Sequence, residues 1–97
     1  MSSTTVPVSP QTELPAQPRL SRLFRLQYEP VQKASVLLYP EGMVKLNDSA
    51  AEILRRCDGV RSVDSIVAEL EILFAVQGIG PQVRDMLQEG VRRGWIS

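Results

Sequence analysis

The sixteen residues from Val36 to Ala51, VLLYPEGMVKLNDSAA, constrain the fold more than any other part of the chain. Val36 to Tyr39 is an apolar run with β-branched and aromatic side chains, and Pro40 and Gly42 end it too soon for a helix, so it reads as a central strand. Pro40-Glu41-Gly42 reads as a turn, proline presetting φ and glycine taking a positive φ, after which Met43 to Leu46 returns antiparallel. Asn47, Asp48 and Ser49 offer three N-cap candidates in a row, and Ser49 with Glu52 fits a capping box. A strand is thereby placed beside a helix start, and a strand with a free edge binds peptide through its backbone.

Upstream, Phe24, Leu26 and Tyr28 alternate with Arg25, Gln27 and Glu29, the period of a half-buried strand that stops near Pro30. Downstream, Ala50, Ile53, Leu54 and Cys57 form one helical stripe, closed by Gly59. Ser62 caps a second helix with the stripe Val63, Ile66, Val67, Leu70, Leu73 and Phe74, which Gly78 and Gly80 break. Pro81 opens a third helix with the stripe Val83, Met86, Leu87, Gly90 and Val91. Gly94 caps it, and Trp95 and Ile96 fold back as a hydrophobic end. Three strands followed by three helices predict an α+β fold of the winged helix-turn-helix type, with a three-stranded antiparallel sheet buried on one face by helices. Residues 1–18 hold four of the seven prolines among Ser, Thr and Gln, without apolar period, and read as a disordered tail before a domain at 19–97.

Eleven basic and eleven acidic side chains cancel, so no net field draws this chain to nucleic acid or an anionic membrane. Histidine is absent and Cys57 is the single cysteine. The common zinc, haem, iron-sulfur and His-assisted nucleophilic sites therefore cannot be assembled, and neither catalytic residues nor a cofactor are expected. With neither a signal peptide nor a membrane-length apolar run, the expected home is the cytoplasm.

Cys57 sits on an apolar stripe with no base or second thiol beside it, and reads as core. Glu52, Asp58, Glu69 and Glu71 fall on polar helix faces and read as solvated charge. Arg84, Arg92 and Arg93 on the third helix would be the contacts of a nucleic-acid-binding winged helix, but Asp85 and Glu89 share that helix and no basic cluster marks the wing. The edge of Met43 to Leu46 is the more promising site. The residues alone leave open whether that edge accepts a peptide or is a plain wing strand. A purely structural subunit of an enzyme complex is a third reading.

Arg25-Leu26-Gln27 with Glu29 and Gln32, the run Val36 to Asn47, Ala50-Ala51 with Ile53-Leu54, Asp58-Gly59, and Ile66 with Ala68-Glu69-Leu70 closely resemble the PqqD family of pyrroloquinoline quinone (PQQ) biosynthesis. The resemblance runs from about Leu20 to Ile96. Tyr28 stands where tryptophan is usual in the family, and Ser35 where histidine is common. The resemblance implies a peptide chaperone, a recognition element of ribosomally made and modified peptides (RiPPs). Such proteins bind the precursor peptide PqqA and deliver it to the radical SAM enzyme PqqE. In related domains the peptide adds beside the third strand and packs on the third helix. Carried onto this chain, that implies Met43, Val44, Lys45 and Leu46 for backbone pairing and Arg84, Leu87, Gln88 and Val91 for the groove. A homodimer through the same strand edge is also compatible with the sequence.

Overall fold

The computed structural model describes residues 14–97. Its elements follow the order β1 (Arg25–Glu29), β2 (Ala34–Tyr39), β3 (Gly42–Leu46), α1 (Asp48–Arg55), α2 (Val63–Phe74) and α3 (Gly80–Arg92). The strands form one antiparallel sheet in the order β1-β2-β3. The apolar run is its centre because only a middle strand buries side chains this thoroughly, and Val36 and Leu37 are both fully buried. Leu26, Leu37 and Val44 lie in one cross-strand row and pack on the helical core. Helix α1 crosses this face and touches all three strands, while α2 and α3 pack on α1 and on each other. Tyr28 belongs to the row Tyr28–Ser35–Leu46, of which Ser35 and Leu46 are covered while Tyr28, on the edge strand β1, is 57% exposed.

The β2–β3 hairpin closes differently from the expectation. Tyr39 pairs with Gly42, so Pro40 and Glu41 alone make the turn. Neither has a positive φ, and Gly42 at 159° is close to extended backbone. The turn therefore draws on the fixed φ of Pro40 and not on a left-handed glycine. In the β1–β2 connection the left-handed position falls instead to Lys33, with φ 53°.

Helix α1 starts two residues earlier than a capping box at Ser49 requires. Asn47 has extended backbone, and its Oδ1 accepts from the Ala50 amide at 2.8 Å. Asn47→Ala should thus lower stability by about 1 kcal/mol, whereas Ser49→Ala should change it by less than about 0.5 kcal/mol. Urea denaturation of the two variants distinguishes the cap. Ser62 caps α2 as expected, accepting from the Ser65 amide at 3.1 Å.

Helix α2 stops at Phe74, before either glycine. Ala75 takes the left-handed conformation at φ 55°, and the Val76 amide returns to the Glu71 carbonyl at 3.0 Å, closing a Schellman-type end. Leu73 and Phe74, placed on the buried stripe by periodicity, consequently remain 50% and 39% exposed. The Glu71 carboxylate accepts from the amides of Gly78 and Ile79 at 2.8 and 3.3 Å. It caps α3 from a distance, because Ile79 at the N-cap has no side chain able to do so.

After α3, Gly94 turns the chain at φ 80° and the amides of Trp95 and Ile96 both return to the Gly90 carbonyl. Gly90 makes this possible, since a Cβ there would meet Ile96 Cδ1 at 2.6 Å. The returning end pairs with the segment before β1. Arg19 and Ser97 exchange both backbone bonds, and Ser21 donates to Trp95 at 2.7 Å. The same segment is held on its other side, Leu20 donating to the Cys57 carbonyl and Gly59 to Pro18. Pro18 is fully buried and Leu14 packs on the core, so residues 14–18, read as tail, lie against the domain. The rest of the expected tail, residues 1–13, lies outside the described residues. Among the described residues no helix is long and apolar enough to cross a membrane.

Candidate functional site

Strand β3 pairs with β2 on one side only, and among the described residues no strand occupies the other. Because Pro40 has no amide hydrogen, the turn-closing pair Tyr39–Gly42 must carry the hydrogen bonds of its end of the hairpin. Antiparallel pairs alternate, so Val44 and Leu46 also bond inward to Leu37 and Ser35. The backbone groups of Met43 and Lys45 point away from the sheet. Their side chains are exposed, while Val44 is half-buried and Leu46 is 8% exposed. The four strand residues implied by the resemblance therefore divide by parity, Met43 and Lys45 presenting backbone and Val44 and Leu46 anchoring the strand.

Two hollows are lined by residues of α3 or of its C-terminal end. One, of about 430 Å³, sits at the hairpin end and is walled by Phe24, Tyr39, Val44 and Trp95, with Glu41 and Arg93 also lining it. The Phe24 and Tyr39 rings are 5.4 Å apart. Arg93 lies over Trp95, 5.4 Å from the ring centre, a distance at which the cation is attracted to the aromatic face. The other hollow, of about 440 Å³, begins at Asn47 and Ser49 and continues between α1, α2 and α3, lined among others by Ile53, Leu70, Phe74, Val83 and Met86.

The α3 residues facing these hollows are Gln82, Val83 and Met86, with Arg93 at the C-cap. Arg84, Gln88 and Val91 form a different stripe of the helix, on the flank where Arg84 reaches Asp64 of α2 at 2.8 Å. Leu87 has no exposed surface and belongs to the core. None of the four helix residues taken from the resemblance lines either hollow. Those four positions were carried over from related domains, and the α3 residues that line a hollow are instead Gln82, Val83 and Met86. Phe24, Tyr39, Phe74 and Trp95 were assigned to strand faces, a helix stripe and a hydrophobic end. Nothing in their spacing signals that three of them converge at the hairpin.

The arginines on and between the helices are paired. Glu89 bonds both Arg92 and Arg93, and with Arg84 held by Asp64 the third helix offers no unmatched basic face. Arg56 bonds Glu52 at 2.7 Å and Glu69 at 3.0 Å, and Arg61 bonds Glu69 at 2.8 Å and Asp58 at 2.5 Å. Acids read as solvated thus tie α1 to α2. The hydrogen bond from Arg61 holds the Glu69 carboxyl below its ordinary value, and that from Arg56 does the same for Glu52. Burial, with the charge of Asp58 as a lesser cause, pushes the Cys57 thiol up to about 12. Its Sγ lies 3.4 Å from the Ile53 carbonyl, the setting of an unreactive core residue.

A three-stranded meander whose β3 edge is unpaired among the described residues, backed on one face by three helices, is an α+β domain of the winged-helix type. Residues 34–96 match the family described as Coenzyme PQQ synthesis protein D (PqqD). The chain belongs to the PqqD family. It is 52% identical over 87 residues to a PqqA binding protein of Azotobacter vinelandii, covering 89% of this chain and 95% of that one. To a PqqA binding protein of Methylococcus capsulatus it is 49% identical over 77 residues, covering 79% and 83%. A solution structure of the PqqD truncation of Methylobacterium extorquens PqqCD, described as a functional and stand-alone RiPP recognition element, matches at TM-score 0.73 and 27% identity. That match covers 90% of this chain and 97% of the other.

Proposed function

We propose that this chain is a non-catalytic peptide chaperone of PQQ biosynthesis, which binds the precursor peptide PqqA by strand addition to β3 and presents it to the radical SAM enzyme PqqE. The observation that carries this reading is the open edge of β3, with the backbone of Met43 and Lys45 turned outward beside a groove. Its support in kinship is that relatives near 50% identity are named for binding PqqA. An extended peptide on this edge gains main-chain hydrogen bonds at Met43 and Lys45, and its alternate side chains enter the groove. Holding the peptide extended removes part of its conformational entropy before the enzyme meets it. Radical and iron-sulfur chemistry belong to PqqE, and this chain supplies position.

Titrating the isotope-labelled chain with PqqA tests the reading. The amides of Met43 and Lys45 should shift together with those of Gln82 and Met86 in α3 and of Arg93 at its C-cap. Shifts confined to α1 and α2, or no binding, would remove strand addition at β3. With PqqE added, the peptide-loaded chain should bind the enzyme more tightly than the free chain does.

A further inference from the structure

On the helix-facing side of the sheet, the row that closes the β2–β3 hairpin reaches the open strand without a side chain, because Tyr39 is paired there with Gly42. The Tyr39 ring covers the gap. A Cβ on Gly42 would lie 3.6 Å from the Tyr39 Oη and 3.8 Å from its Cζ. An aromatic ring laid over a cross-strand glycine stands in for the missing side chain, and here it also carries the phenol from the central strand to the outermost one. Phe24 lies against the same ring, the two centres 5.4 Å apart at an interplanar angle of 37°. Tyr39 is part of the wall of the hairpin hollow, and the other two hairpin residues in that wall, Glu41 and Val44, stand on either side of Gly42. The hollow therefore comes to the β3 edge at the position that has no side chain.

In a strand paired with Met43 and Lys45, the residues beside Gly42 and Val44 put their side chains on this face. Cβ positions directly opposite one another in neighbouring strands are about 4.5–5.5 Å apart, so a side chain beside Gly42 meets the edge of the Tyr39 ring within the length of one aromatic residue. Resting on the strand-addition reading above, we propose that Tyr39 is a specificity residue, whose ring, reaching over Gly42, receives one aromatic side chain of the added strand at the hairpin end of β3. Aromatic pairs with centres about 4.5–7 Å apart gain from their ring geometry beyond the area they bury. Phe24 and Tyr39 already form such a pair, Trp95 stands in the same wall, and the incoming ring extends the cluster. An aliphatic side chain of similar size covers the Tyr39 edge without that gain.

Replacing each aromatic residue of synthetic PqqA in turn by Leu and by Ala, with affinity read by calorimetry, tests this on the unmodified chain. At one position Leu should cost about threefold or more and Ala about tenfold or more. Against Tyr39→Leu the cost of Leu at that position should fall below about twofold, and Tyr39→Phe, which keeps the ring, should restore it. Intermolecular NOEs from that peptide ring to the ring of Tyr39 give the same answer without any variant. The proposal is overturned if no aromatic position is sensitive, if a folded Tyr39→Leu protein leaves the sensitivity unchanged, or if the NOEs place an aliphatic side chain on Tyr39. In these cases the amides of Met43 and Lys45 still shift with PqqA and strand addition stands. Absence of those shifts, or of PqqA binding, overturns both together.

Discussion

Lys45→Pro should fold and lose PqqA, whereas Val44→Pro should lose the fold. The two residues are neighbours on one strand, and the difference lies in where their amides point. The Lys45 amide faces outward from the edge strand, where proline is tolerated, and its side chain is exposed. Proline there removes one donor and places its ring where an added strand would approach. The lost bond and the unsatisfied carbonyl opposite it together cost about 2–4 kcal/mol, a weakening of roughly 30-fold to 1000-fold. Lys45→Ala, which keeps the amide, should stay within about threefold because an exposed charge contributes little. The Val44 amide bonds inward to Leu37, so proline there breaks the hairpin ladder and should lower stability by at least about 3 kcal/mol. Circular dichroism and calorimetry on the three variants decide the matter. Unchanged affinity in a folded Lys45→Pro protein would rule out pairing at this edge.

The second large effect concerns Leu87, which the family resemblance implies is a groove residue and the structure buries completely. Leu87→Ala should open a cavity and cost about 2–5 kcal/mol. For a domain of this size that lowers Tm by on the order of 15 °C. Gln88→Ala, one residue along on the half-exposed flank, should move stability by less than about 0.5 kcal/mol. Thermal denaturation of the pair reads this directly. Similar melting of Leu87→Ala and the unmodified chain would mean that α3 is rotated relative to its placement here.

These contrasts mark what periodicity expresses. The order of strands and helices, the central position of Val36 to Tyr39 and the buried stripes of α1 and α3 are consequences of local patterning, and all are present in the structure. The cap at Asn47 was within reach, one of three adjacent candidates that only backbone geometry separates. The end of α2 was not, because its stop depends on Ala75 adopting a left-handed conformation in the presence of better candidates. The open edge was legible as an option and the groove wall was not. Periodicity locates the side of α3 that is buried, whereas the hollow beside Gln82 and Met86 depends on how α3 packs against α1 and α2. The strap at residues 18–21 escaped notice for a related reason. Its partners Cys57, Gly59, Trp95 and Ser97 are distant in sequence, and Pro18 closes a polar stretch that carries no pattern.

That strap brings the segment before β1 beside the last described residues, Arg19 bonded to Ser97. A domain whose entering and leaving segments meet can be joined to a neighbour through either one without the connection crossing its own surface. Trp95 lines the hairpin hollow, so whatever is attached beyond Ser97 starts within a few residues of one mouth of the groove. In the Methylobacterium extorquens relative the corresponding domain was cut from a longer PqqCD chain and described as functional on its own. Segments that meet in this way suit both arrangements with one set of contacts. Under the proposed function, tethering would raise the local concentration of peptide near the joined partner without altering this domain.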